Sequence, residues 1–156
     1  MATEMGEYLV GAYLKLVEGC DFVDYGVRTP GGGIAGLNEL DVVGIKFAEN
    51  KAYLCEVTTH VRGLLYSNNQ ETIQRIKRKH GNQRQYADMH LENFDPEFMF
   101  WSPNVPKGYL TTNLEEIGSL KLIINGEYKA RIKNSVSWPR QSVKTPVILH
   151  FGCCRF

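Results

Sequence analysis

The amino-acid sequence predicts an α/β fold, a mixed central β-sheet flanked by helices, in a single domain over residues 1–156. The order of elements is the first reason. One helix and three successive strands come first, and helices then alternate with strands, α-β-β-β-α-β-α-β-α-β, a pattern that lays helices against a sheet. The second reason is size. A chain of 156 residues, 43% apolar and 22% charged, can bury one sizeable core in a globular domain. No repeat or low-complexity segment interrupts the pattern.

Residues 3–18 read as an amphipathic helix. Thr3 suits the N-cap, Met5, Leu9, Ala12, Tyr13 and Leu16 recur at helical spacing, and Gly19 ends it. Residues 21–28 form a short strand. The run Thr29-Pro-Gly-Gly-Gly-Ile-Ala-Gly36 is dense in turn-formers and reads as a loop. Strands follow at about 40–47 and 51–59, hinged at Ala48-Glu-Asn50. A long polar helix runs from Ser67 to about His90, with Ile73, Ile76, His80 and Ala87 on one face. Asp95-Pro96 breaks the chain before Phe98-Met-Phe-Trp101, an apolar run that reads as a buried strand. Thr112-Asn113 caps a short helix around 114–118, and Leu120–Ile124 is a further strand. Residues 126–138 read as a helix, with Tyr128, Ile132 and Val136 one turn apart; a hairpin turn at Asn125-Gly126 is the rival. Pro146–Phe151 closes as a last strand.

Charge and composition exclude several classes. No apolar run approaches the roughly 20 residues that span a bilayer, so no membrane partner is expected. The acidic start lacks the basic region of a secretory signal, and Cys20, Cys55, Cys153 and Cys154 have neither disulfide-framework nor zinc spacing; a cytoplasmic protein with reduced thiols is the expectation. His80, His90 and His150 have no zinc spacing either. Net charge is +1, which excludes a generally basic nucleic-acid coat. The charge is uneven, however. Arg75, Lys77, Arg78, Lys79 and Arg84 crowd the long helix with no acid between them, which suits nucleic acid at one face, though a solvated helix face is the commoner reason for such a run.

Chemistry concentrates in two adjacent apolar runs. Asp41 heads one, and Glu56 lies inside the other, between Cys55 and Val57. Two strands joined by a tight turn bring these carboxylates side by side, the arrangement that holds Mg²⁺ with water completing the shell. An acid at a strand end is often simply solvated, so Asp41 alone says little. Glu56 says more, because an ionised group among apolar neighbours is costly unless paired or metal-bound. Side chains alternate along a strand, so Glu56 and Thr58 share a face that Cys55 and Val57 do not. Glu39, two residues before Asp41, is a spare ligand.

These words, together with Gly6-Glu7-Tyr8-Leu9 and Val27-Arg-Thr-Pro-Gly-Gly-Gly33, resemble the PD-(D/E)XK nuclease superfamily. The nearest flavour is the small archaeal Holliday-junction resolvases, and the likeness covers about the first 60 residues. It implies a restriction-endonuclease-like fold and a Mg²⁺- or Mn²⁺-dependent endonuclease hydrolysing DNA phosphodiester bonds. It assigns Asp41, Glu56 and the Val57 carbonyl as metal ligands and Glu7 as a helix-borne acid completing the site. Arg28 and the glycines at 31–33, including Gly32 and Gly33, become phosphate contacts, and Arg75, Lys77, Lys79 and Arg84 become nucleic-acid contacts. A homodimer is the corresponding assembly, since two strands need cutting. Tyr86 is similar to the tyrosine of a QxxxY motif in the exonuclease branch, with Asn82 in the glutamine position; the simpler reading packs Tyr86 against the sheet.

Thr58 departs from the pattern, because the family carries lysine two residues after the glutamate. Threonine offers a hydrogen bond but no positive charge for the transition state. Either the lysine has moved to the long helix, with Lys77 ahead of Lys79 and Arg84 as its substitute, or the domain binds nucleic acid or a protein partner without cleaving. His60 lies near enough to reach the site, but a lone histidine is more often structural.

Overall fold

The computed structural model describes residues 4–28, 39–60 and 62–136. The architecture is α/β: a five-stranded mixed sheet with helices on both faces. Helix α1 (Met5–Tyr13) runs into a π-helical turn, Leu14–Glu18, ended by Gly19 in the left-handed region at φ 74°. Strands β1 (Phe22–Arg28), β2 (Glu39–Lys46) and β3 (Lys51–Val57) form an antiparallel meander. Helix α2 (Asn69–His90) then crosses to β4 (Asp95–Ser102), parallel to β3, and α3 (Tyr109–Glu115) leads to β5 (Leu120–Ile124), parallel to β4. Helix α4 (Asn125–Val136) ends the described chain. Strand order is β1-β2-β3-β4-β5, so β3 is the strand at which the sheet changes from antiparallel to parallel pairing.

Three expectations shift. The Asp95-Pro96 break is instead the start of β4: Pro96 pairs in register with Ala52, and a proline is tolerated at a strand's beginning. The short helix begins at Tyr109, capped by Gly108 and the Thr111 hydroxyl, because Leu110 and Leu114 are the residues that reach the core. Glu4 takes the cap of α1, where its N–H donates to Glu7 Oε2 at 3.1 Å while its own carboxylate accepts from the Thr59 hydroxyl at 2.9 Å. The helix reading of 126–138 holds over its described part and the hairpin does not form. The Gly-rich segment with Gly32 and Gly33, the expected strand 146–151, His150, Cys153 and Cys154 lie outside the described residues.

Alternation along the strands sorts side chains into two cores. Tyr53, Cys55 and Val57 of β3 join Met99 and Trp101 of β4 beneath α1 and α4, where the Trp101 ring stands edge-on to Tyr13 at 5.1 Å. On the other face Leu54 packs with Ala87 of α2, and Phe100 packs with Ile73 and Ile76 of α2 and Leu110 and Leu114 of α3. Six successive residues of β3, Ala52–Val57, are buried, as expected of a central strand covered on both faces. Glu56 is the one acid among them, and alternation puts it on the α2 face.

Helix α1 sits so close to β1 that Gly11 has no room for a side chain: a Cβ there would overlap the Tyr25 ring and hydroxyl. Tyr25 is itself held by Tyr8, 5.3 Å away. Gly11→Ala should therefore cost about 1–3 kcal/mol. Tyr25→Leu should recover part of that loss, so that the two changes together cost less than their sum. Urea denaturation of the four proteins in the cycle checks this; strict additivity would contradict the contact.

Candidate active site

Strands β2 and β3 bring the two acids together from opposite directions. Val42 pairs with Cys55, and just beyond that pair the Val57 N–H donates to Asp41 Oδ2 at 2.7 Å. Glu56 is only 4% exposed. Both carboxylates open into a cleft of about 660 Å³ whose walls include Glu7, Glu39, Arg28, Thr58, Arg75 and Lys79. A lysine does reach them, from α2: Lys79 Nζ donates to Glu56 Oε1 and lies 3.7 Å from Asp41 Oδ1.

Lys79 therefore takes the place expected of Lys77, which is exposed and absent from the cleft wall. The reason is helical phase. At 3.6 residues per turn, both lysines flank the buried stripe of Thr72, Ile73, Ile76, His80, Gln83 and Ala87, but on opposite sides. Arg75 and Lys79, one turn apart, share the flank facing the acids; Lys77 and Arg84 lie on the other and are exposed. Arg75 lies over the Tyr66 ring at 4.2 Å, and its buried Nε has no hydrogen-bond partner. His60 lines the cleft and stands edge-on to the Tyr66 ring at 4.9 Å. Thr58 is 5% exposed, with its hydroxyl buried, unpartnered and in the cleft wall. Glu7 lines the cleft while accepting from the Glu4 N–H at the start of α1, and Arg28 lines it from the end of β1. Tyr66 and Tyr25 were not anticipated from the sequence; nothing in their spacing signals a cleft.

Electrostatics follow from burial. Burial, reinforced by neighbouring Asp41, pushes Glu56 well above the ordinary carboxyl range, with Lys79 opposing. Asp41 is raised by burial too, against Lys79 and the Val57 N–H. Lys79 would lose its proton more readily by burial, but the two carboxylates more than compensate and hold it charged. Glu7 is raised, chiefly by burial. The cluster is thus two acids and one cation, with Glu39 Oε2 buried nearby and without a partner.

No protein-family model, curated protein or solved structure matches this chain.

The local geometry is left to define the chemistry. Among the described residues no group of three or more His, Cys, Asp and Glu side chains is arranged to hold a metal ion. Two carboxylates and a backbone carbonyl are nonetheless an all-oxygen set of the kind Mg²⁺ accepts, since that ion keeps several of its waters. Lys79 and Arg75 add positive charge on the same wall, so the cleft presents both signs to an incoming group.

The cluster makes opposite predictions for its members. Glu56→Gln removes one buried negative charge and leaves Asp41 paired with Lys79, so stability should hold or rise by about 1 kcal/mol. Lys79→Met leaves two adjacent carboxylates and should cost about 3 kcal/mol near pH 8. Glu56 has a folded-state pKa above its unfolded value, so between the two the folded protein holds a proton that the unfolded chain does not. Stability therefore falls as pH rises through that window. The Lys79→Met loss should accordingly shrink toward pH 5, and urea denaturation at both pH values checks it; an equal loss at both would contradict the charge account.

Proposed function

We propose that this chain is a Mg²⁺- or Mn²⁺-dependent endonuclease that hydrolyses DNA phosphodiester bonds, on a restriction-endonuclease-like scaffold whose reactive lysine comes from α2 instead of β3. The observation that carries this reading is Lys79 Nζ lying between Asp41 and Glu56. It restores at one point in space the two acids and one cation that Thr58 interrupts along the strand.

The donor set suits a hard divalent cation. Asp41, Glu56 and the Val57 carbonyl would hold it, with Glu7 at the rim, and the unpartnered Glu39 oxygen is a spare acceptor. Such an ion, when bound, neutralises charge on the scissile phosphate and lowers the pKa of its bound water. The chain supplies the rest. Lys79 carries the positive charge that stabilises the developing negative charge on the phosphoryl oxygens. Arg75, stiffened against Tyr66, offers a planar fork to an adjacent phosphate. The Thr58 hydroxyl is free to orient a water or a phosphate oxygen. Binding without cleavage is the second reading, favoured by the Lys79–Glu56 contact itself, which already neutralises one acid with the protein's own cation.

Cleavage of linear, single-stranded and branched DNA with Mg²⁺ or Mn²⁺ should be lost in Asp41→Ala and in Glu56→Ala. Lys79→Ala should lower the rate by about 10²–10³-fold, the scale of one lost transition-state contact. Lys77→Ala should stay within a few-fold of wild type. Cleavage that survives both acid substitutions would overturn the reading, and DNA binding with no cleavage of any substrate would favour the second.

A further inference from the structure

The middle of α2 is docked on the sheet by a chain of polar groups. Its buried apolar side chains are Ile73 and Ile76 near the start and Ala87 near the end. Between them the stripe is filled by His80, 6% exposed, and Gln83, 1% exposed. Gln83 Nε2 donates to the Leu54 carbonyl of β3 at 3.0 Å and reaches the Met99 carbonyl of β4 at 3.4 Å. With both amide hydrogens committed to the sheet, Gln83 Oε1 can only accept, and His80 Nδ1 lies 3.2 Å from it. That fixes the tautomer: Nδ1 carries the hydrogen, and Nε2 accepts from the Ser119 hydroxyl at 2.8 Å. Burial keeps the ring neutral by lowering its pKa, and the Phe98 ring stands edge-on to it at 5.2 Å.

This chain ties α2 to β3, β4 and the segment before β5. Leu54 is two residues before Glu56 on the same strand, His80 directly follows Lys79, and Gln83 is one turn further on. Apolar contacts let a helix slide by fractions of an ångström at little cost, whereas two hydrogen bonds to fixed carbonyls do not. A buried glutamine costs about 1–3 kcal/mol if its partners are lost, so a core built only for stability would more simply place leucine or methionine here. We propose that Gln83, backed by His80 and Ser119, is a positioning brace that sets the height of Lys79 against Glu56. The brace gives Lys79 a role only if Lys79 is the reactive cation, so the inference rests on the function proposed above; its main readout does not need cleavage.

That readout is the ammonium resonance of Lys79 in a proton–nitrogen correlation spectrum, assigned by its loss in Lys79→Met. In the wild type a carboxylate-held ammonium exchanges slowly and is visible. In Gln83→Met, which conserves volume, the signal should vanish or exchange at least tenfold faster while the circular dichroism of the fold is kept. Ile76→Val, equally near Lys79 but outside the brace, should leave it unchanged. Should Gln83→Met fail to fold, Ser119→Ala at the exposed end of the chain should accelerate the same exchange severalfold. On a cleaved DNA, Gln83→Met should lower kcat by about 10–100-fold with KM unchanged. A wild-type exchange rate in whichever of Gln83→Met and Ser119→Ala folds would overturn the brace. A wild type with no protected ammonium would overturn the Lys79–Glu56 contact and the brace with it. Absent cleavage with the signal behaving as described would sink only the nuclease reading.

Discussion

Two carboxylates buried side by side at the ends of neighbouring strands are tolerable only if a cation reaches them. Two like unit charges about 4 Å apart in a partly buried site repel by roughly 4 kcal/mol. That is a large share of the total stability of a small domain, which is about 5–15 kcal/mol. Lys79 answers that repulsion, and it can do so only if α2 lies across β3 with one flank turned to Asp41 and Glu56. The direction of α2 and its rotation both serve this requirement. Its apolar stripe alone, with few aliphatic side chains, would specify them loosely.

The same requirement explains why so polar a helix holds its place. Apolar contacts at each end and hydrogen bonds in the middle divide the work between affinity and register. Across the sheet the opposite face is more conventional, with Trp101, Tyr13 and Tyr128 interleaved beneath α1 and α4. The rigid aromatic side supports β3 and β4 from below, so the acids stand on a firm floor while the cation approaches from above. Burial raises the pKa of both acids, so the sheet holds them at some expense to stability.

Much of this was legible in the sequence. The α/β class, the run of three early strands and the pairing of Asp41 with Glu56 followed from period-two alternation and a short hinge. The buried face of α2, His80 included, followed from its 3.6-residue period. What the sequence could not give was the side of that helix that turns to the acids. Lys77 and Lys79 both border the apolar stripe, and the choice between them depends on how the helix lies over the sheet, a tertiary fact with no local signal. The short helix was displaced for a related reason: Thr112 and Asn113 look like caps, but Leu110 had to be inside the helix to reach the core. Pro96 carries a misleading signal, because proline usually punctuates a chain and here it starts a strand. Gln83 has no local signal at all, because a polar residue on a polar helix gives no hint of burial until the strand carbonyls beneath it are known.

The switch of β3 from antiparallel to parallel neighbours also orders the assembly of the site in time. Residues 39–57 need only a four-residue turn to pair, whereas α2 and β4 require a crossover of dozens of residues. Contacts of short sequence separation cost less loop-closure entropy, so this hairpin can pair before α2 docks. The two acids therefore meet while still hydrated, and water leaves them only when α2 docks with its own cation. Desolvation and neutralisation become a single late event, and at no point in folding does the chain have to bury bare charge.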